Sequence, residues 1–220
     1  MNLHEQIHRM KSFMGIEEDY PENFSLEEFK KLTSFKKRLE YCNKNLQRIS
    51  SGSSRAVYKI DEEKVLKLAM NQKGIAQNEQ EIILSNYYDI SDIVAHVFDK
   101  DDKNNTWLEM ELARKLTLGD FKRITGFDFK DFDATIYNYY LDAVLHRNDF
   151  RKEVDKEISQ EMWENEFTYS ILNFIGSYQI PAGDLGRLST YGIVKRDGED
   201  TIVIIDYGLS EEIYKKFYKK

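Results

Sequence analysis

The sequence has one cysteine in 220 residues, Cys42, which leaves no partner for an internal disulfide and too few thiolates for a cysteine-rich zinc centre. That fits a reducing cytoplasm, with Cys42 as a buried thiol. Proline occurs twice, at Pro21 and Pro181, and neither an internal repeat nor a low-complexity tract interrupts the chain. No apolar run approaches the length of a bilayer-spanning helix, the longest obvious one being 202–205, and the residues after Met1 are too polar for a secretory signal. A soluble chain with no membrane contact is the expectation. Positive charge is also short: 32 basic against 39 acidic side chains give a net charge of −7 and a pI near 5.3. That is the wrong sign for a protein held to phosphate backbones, so nucleic acid is not expected as a partner.

What is present points to a folded core. Hydrophobic residues make up 41% and aromatics 13%, with 14 Tyr and 13 Phe, whereas disordered chains are poor in aromatics. The length suits one domain or a compact two-lobed unit. Leu3, Ile7, Met10 and Met14 recur at helical spacing, and Gly15 supplies a stop. After Pro21, Ser25 and Glu28 form an S-x-x-E capping box, and Leu26, Phe29, Leu32, Leu39, Cys42 and Leu46 predict one long helix ending near Leu46. These amphipathic N-terminal helices offer a surface for a partner. Short β-rich runs follow at 48–50, 56–60, 65–69, 96–99 and 106–112, with a helix over 77–88 between the third and fourth. The order is β-β-β-α-β-β. Helical patterns then occupy 117–178, and a hairpin is expected from runs at 192–195 and 201–206 about a turn at 196–200.

Five short segments concentrate the chemistry. Ile49-Ser50-Ser51-Gly52-Ser53-Ser54-Arg55-Ala56-Val57 is rich in small residues, whose backbone N–H groups can approach an anion closely while serines add hydroxyl donors. Taken by itself it reads rather as a Ser/Gly hairpin turn. Ten residues beyond Val57, Lys67 stands in the apolar run Val65-Leu66-Lys67-Leu68, and the next helix carries Glu81, with Glu79 as the alternative. Each alone is explained by a snorkelling lysine and a solvated glutamate. Leu108-Glu109-Met110-Glu111-Leu112-Ala113 ends the β-rich region. Ala182-Gly183-Asp184-Leu185 follows the helices, and Ile204-Ile205-Asp206-Tyr207-Gly208-Leu209 follows the last hairpin strand.

In this order the five segments resemble the protein-kinase-like superfamily over Arg48 to Leu209. Gly52 and Val57 take the places of the middle glycine and the valine of the kinase glycine-rich loop, and Val65-Leu66-Lys67 that of V-A-I-K. The Asp184 segment is similar to H-G-D-L of the aminoglycoside phosphotransferases and more distantly to H-R-D-L, and Asp206-Tyr207-Gly208 is similar to D-F-G. The resemblance implies an α+β, two-lobed protein-kinase-like fold: an N-terminal helical extension over 1–47, a small antiparallel-sheet lobe over 48–113, and a reduced helical C-lobe over 114–220. It implies ATP and Mg2+ as cofactors. Gly52, Ser53, Ser54 and Val57 would cover the nucleotide, and Lys67, held by Glu81, would contact the α and β phosphates. Met110 as gatekeeper and backbone groups of Glu111 to Ala113 would meet adenine. Asp184 would be the catalytic aspartate and Asp206 a magnesium ligand. The activity implied is phosphotransfer from ATP to an unidentified protein or small-molecule acceptor.

The sequence departs from that pattern in several places. Two of the three loop glycines are replaced, by Ser50 and Arg55, and the catalytic-loop histidine by Ala182. The metal-binding asparagine expected five residues after Asp184 falls on Ser189. Anchoring on the strand at 193–195 moves it near Gly192 instead, with a loop longer by about three residues. Serine is a poorer magnesium ligand than an amide or carboxylate oxygen. The twelve residues after Gly208 are too few for an activation segment, an A-P-E motif and peptide-holding helices. The alternative reading is a catalytically weak or inactive kinase-like module, a pseudokinase, that binds nucleotide or serves a structural role.

His4-Glu5-Gln6-Ile7-His8 is literally H-E-x-x-H, which on a helix places two imidazoles and a glutamate as in a zinc protease. It lacks the downstream metzincin ligand and shares its helix with a stripe that needs burial, so histidines beside a helical interface are the preferred reading. The remaining histidines are His96 and His146. Met1 to Gly15 also resembles the leader I-x-R-[IM]-K-x-x-M-G of various proteins of large tailed phages, which implies a phage product acting in bacterial cytoplasm or carried in the virion. The Lys215-Lys216 and Lys219-Lys220 pairs read as a solvated helix end, favourable to the helix dipole.

Overall fold

The computed structural model describes residues 20–150 and 152–219. The helix expected from Leu3 to Met14, the H-E-x-x-H segment and the leader-like stretch lie outside these residues. The chain divides into two units. One takes in the described residues up to Ile82 together with His96–Leu112, and the other Ile83–Ala95 and the described residues from Ala113 onward.

In the first unit the stripe from Leu26 to Leu46 folds as two helices, α1 (Leu26–Lys31) and α2 (Phe35–Asn45), instead of the single one expected. Leu32 turns extended, and Ser34 caps the new helix by accepting from the Lys37 N–H at 3.2 Å. Arg38 Nε donates to the Leu32 carbonyl at 2.8 Å, so the break leaves that group satisfied. The strands β1 (Gln47–Ser51), β2 (Arg55–Lys59), β3 (Lys64–Ala69), β4 (Val97–Lys100) and β5 (Trp107–Glu111) form one antiparallel sheet in the order β1-β2-β3-β5-β4. Helix α3 (Gln72–Leu84) lies between β3 and β4 in sequence, giving the expected three strands, helix, two strands.

Side chains alternate across a strand, and the register sorts them into two faces. Ala56, Tyr58, Leu66, Leu68 and Trp107 share one face, and Phe24, Phe29, Cys42 and Leu46 of the N-terminal segment pack on it. Phe29 meets Trp107 edge-on at 6.1 Å. Burying a side chain of this size stabilises by about 1.5–3 kcal/mol, so this layer is a large part of the unit's stability. Val57, Val65, Lys67, Leu108 and Met110 fall on the opposite face.

The second unit is mainly helical: α4 (Leu118–Thr125), α5 (Phe129–Tyr139), α6 (Lys156–Glu164), α7 (Glu166–Tyr178), the single turn α8 (Ala182–Leu185) and α9 (Glu211–Phe217). Helix α5 runs on into a π-helical turn at Tyr140–Val144. Phe121, Phe129, Phe132, Phe167 and Tyr191 form its aromatic centre, with rings 5.1–6.2 Å apart. The expected hairpin is β7 (Tyr191–Arg196) and β8 (Glu199–Ile204), turning at Asp197 and Gly198, both at positive φ. A two-residue strand, β6 (Arg114–Lys115), adds to β7 and makes a three-stranded sheet. The fold is α+β, and the element order of the first unit is that of the kinase-like small lobe the sequence resembles. Among the described residues no helix is long and apolar enough to cross a membrane.

Candidate functional site

Strand β3 is apolar and buried from Val65 to Ala69 but for one charged residue, Lys67, itself 5% exposed. A charge there requires a partner, because desolvating an ammonium is costly. Glu81 supplies it from α3: Lys67 Nζ donates to both carboxylate oxygens at 3.0 Å, and the carboxylate is fully buried. Glu79, two residues away on the helix, is exposed. Arg55 Nη1 also reaches Glu81 Oε2, at 2.8 Å, and lies 3.4 Å from Asn78 Oδ1.

Gly52 to Arg55 forms a tight hairpin turn between β1 and β2, closed by the Gly52 N–H donating to the Arg55 carbonyl at 2.9 Å. The turn is lashed to the start of α3. Asn71 Nδ2 donates to the Ser53 carbonyl at 3.0 Å, Lys73 Nζ to Ser53 Oγ at 2.8 Å, and Ser54 Oγ to Gln77 Oε1 at 2.5 Å. Gly52 and Ser53 are exposed and Ser54 is buried. Val57 pairs with Lys67, which pairs with Leu108, so the valine adjoins the lysine on the same face. Met110 stands one rung along that face, 1% exposed. Beyond it the Glu111 N–H donates to the His96 carbonyl at 2.8 Å and the Leu112 N–H to the Glu63 carbonyl at 2.6 Å.

In the second unit, Asp184 sits in the one-turn helix α8, with Arg187 Nη1 3.2 Å from its carboxylate. Burial pushes the Asp184 carboxyl above its ordinary range, Arg187 opposes this, and the negative charge of Asp206 adds to it. Asp206 follows β8 and is exposed. Its neighbours are fixed: the Ile204 N–H donates to the Ile93 carbonyl at 2.8 Å, and the buried Tyr207 hydroxyl to the Ala95 carbonyl at 2.9 Å. Ser189 lies exposed in a 3-10 turn. Gly192 is crowded: a Cβ there would stand 2.4 Å from that of Ala113, which leaves no room for an asparagine. Among the described residues no group of three or more His, Cys, Asp or Glu side chains gathers as in an all-protein metal cage. Magnesium instead takes one or two carboxylates and completes its shell with water and phosphate.

No family model matches the chain, and no curated protein matches it. Solved structures do. The streptomycin–ATP ternary complex of APH(2″)-IIa is similar at 14% identity and a TM-score of 0.34, over 80% of this chain and 72% of that one. The GDP complex of wild-type aminoglycoside 2′-phosphotransferase-IIIa is similar at 14% identity and a TM-score of 0.38, over 74% of this chain and 66% of that one. ADP-bound aminoglycoside phosphotransferase APH(2″)-Ib gives 16% identity and a TM-score of 0.32, over 77% and 69%. The nucleotides and the antibiotic belong to those proteins.

Sequence reasoning paired Lys67 with Glu81 but treated Arg55 only as a lost glycine. A signal was present: counting back by two from Val57 puts Arg55 on the strand face that carries Lys67 in the neighbouring strand.

Proposed function

We propose that the chain binds ATP with Mg2+ and transfers the γ-phosphoryl group to the hydroxyl of a protein or small-molecule acceptor. The observation that carries this reading is the buried Lys67–Glu81 ion pair, on a sheet face beside a small-residue hairpin turn. A buried pair of this kind is weak evidence for stability alone, since apolar replacements of similar volume are often neutral or stabilising. Its retention makes sense if Lys67 has an anion to hold. Gly52, Ser53, Ser54 and Val57 would cover the nucleotide, and Met110, Glu111 and Ala113 would meet adenine.

In the transfer the acceptor oxygen forms a bond to the γ-phosphorus, and the bond from that phosphorus to the β,γ-bridging oxygen breaks, releasing ADP. Asp184 orients the acceptor hydroxyl and takes its proton, a role suited to a carboxyl raised by burial. Asp206, with Ser189 as the weaker donor, would hold Mg2+, which when bound neutralises charge on the phosphates. The leader-like stretch supports a phage product working in a bacterial cytoplasm.

A catalytically weak nucleotide-binding module is the second reading, favoured by Ala182 in the histidine position and by an exposed serine, Ser189, in that of the asparagine. A metal-dependent ATP titration tests the site, and labelled ATP with host lysate tests the chemistry. Lys67→Ala should fold and bind ATP about ten- to hundredfold more weakly, the worth of a charge-assisted contact. Asp184→Ala should bind ATP and transfer no label beyond lysate alone. Wild-type binding without transfer moves the assignment to the second reading, and absence of ATP binding overturns both.

A further inference from the structure

We propose that Arg55 is a second cation of the phosphate-binding site, placed by strand β2 to act beside Lys67 on a polyphosphate. This rests on the nucleotide reading above and adds a ligand to it.

The placement follows from register. Arg55 pairs with Ala69 and Val57 with Lys67, so Arg55, Val57 and Lys67 project from one face of the sheet. The Arg55 carbonyl closes the hairpin turn, which puts this residue at the base of the small-residue loop. The residue is buried, 6% exposed, and its guanidinium remains charged there, since arginine does not give up its proton in proteins. Glu81 Oε2 accepts from Arg55 at 2.8 Å and from Lys67 at 3.0 Å, so two cations converge on one carboxylate. Whatever else the two cations touch, each adds its charge to the potential under the turn, and that potential favours an anion.

The cost of keeping Arg55 argues the same way. Small residues at this end of the strand would let the backbone approach a ligand without burying any charge. A buried arginine instead needs partners for its fork, and Nη1 finds two on α3, Glu81 at 2.8 Å and Asn78 at 3.4 Å. Glu81 already serves Lys67, so holding α3 in place does not require a second cation. An anion that engages both cations does. Lys73, whose Nζ donates to Ser53 Oγ at 2.8 Å, extends the positive side of the turn.

Isothermal titration of the full chain with ATP, adenosine and inorganic tripolyphosphate, for wild type, Arg55→Gln and Arg55→Lys, tests this, with folding checked by near-UV circular dichroism. Arg55→Gln should weaken ATP and tripolyphosphate by about tenfold or more while adenosine stays within about twofold. Arg55→Lys, which keeps the charge, should restore most of the loss. Unchanged tripolyphosphate affinity in folded Arg55→Gln overturns the proposal, as does an equal loss for adenosine, which marks a packing role. Should Arg55→Gln fail to fold, the lysine variant decides: tripolyphosphate binding close to wild type supports the proposal, and a loss above about tenfold overturns it. Tripolyphosphate binding that depends on Arg55, with no ATP binding, sinks the nucleotide reading and leaves the anion site standing. A wild-type protein that binds neither probe overturns both.

Discussion

The carbonyl oxygen of Ser54 lies 2.3 Å from the point where a Cβ on Gly74 would stand, and the same oxygen accepts the Met70 N–H at 2.8 Å. The hairpin turn and helix α3 therefore touch backbone to backbone. Gly74→Ala sets two effects against each other. Alanine in a helix gains about 1 kcal/mol over glycine, whereas a contact on backbone that cannot swing aside costs about 1–3 kcal/mol. The clash should win. Urea unfolding should show a lower midpoint with an unchanged slope, and ATP affinity should fall with it. A stabilised variant would mean that the turn yields without loss.

Magnesium dependence should separate the two candidate metal donors. Asp206→Asn should abolish the effect of magnesium on ATP binding, and Ser189→Ala should reduce it only slightly, because a carboxylate is a far stronger ligand for a hard cation than a hydroxyl. Titrations with and without chelator measure this directly. Equal damage from both would make the exposed serine a true ligand.

Asp184 should make stability depend on pH. Burial, then the charge of Asp206, raises its carboxyl against the pull of Arg187, so the folded chain keeps this proton to higher pH than the unfolded chain. Between the unfolded value of about 4 and the raised folded value, the native state binds more protons, and stability falls as pH rises through that window. Asp184→Asn removes that loss. Its melting temperature should exceed wild type at pH 7, and the difference should shrink towards zero below about pH 4. The Arg187 pair lost in this variant is largely exposed and contributes little. A difference that does not vary with pH would reject the linkage.

Cys42 should be inert while the protein is folded. It is fully buried on the sheet-facing side of α2, and burial pushes its thiol up to about 12 against the opposing charge of Arg38. Thiolate is the reactive form, so a disulfide reagent at pH 8 should label it only as fast as the helix layer opens. Labelling rates across a urea series measure that opening, and rapid reaction in native buffer would contradict the packing.

Strong, long-range patterns were the legible part of this chain. A single lysine in an otherwise apolar run marked Lys67, and short β-rich runs bounded by turn residues located β2, β3 and β5. Helical spacing alone left Glu79 and Glu81 open, since only packing against the sheet turns one of them inward. The break between α1 and α2 was hidden because Leu32 continues the apolar stripe, while the local bonds of Ser34 and Arg38 that end the helix leave periodicity untouched. β6 has two exposed residues and no alternation, so nothing announced it. The π-helical turn at Tyr140–Val144 follows an unbroken helical pattern, which gives no sign of the change to wider bonds such as that from the Leu145 N–H to the Tyr140 carbonyl.

The hydrogen bond from the Tyr20 hydroxyl to Glu109 on β5 joins residues 89 apart, and it has a consequence for synthesis on the ribosome. At about 5–20 residues per second, β5 emerges roughly 4 to 18 seconds after Tyr20. Until β2 and β3 emerge part-way through that interval, Phe24, Phe29 and the buried side of α2 have no sheet to cover, and the part that packs on Trp107 stays open to its end. The nascent chain thus carries an apolar surface while awaiting its partner strand, and a chaperone that shields it would raise the yield of folded protein without ever touching the finished molecule.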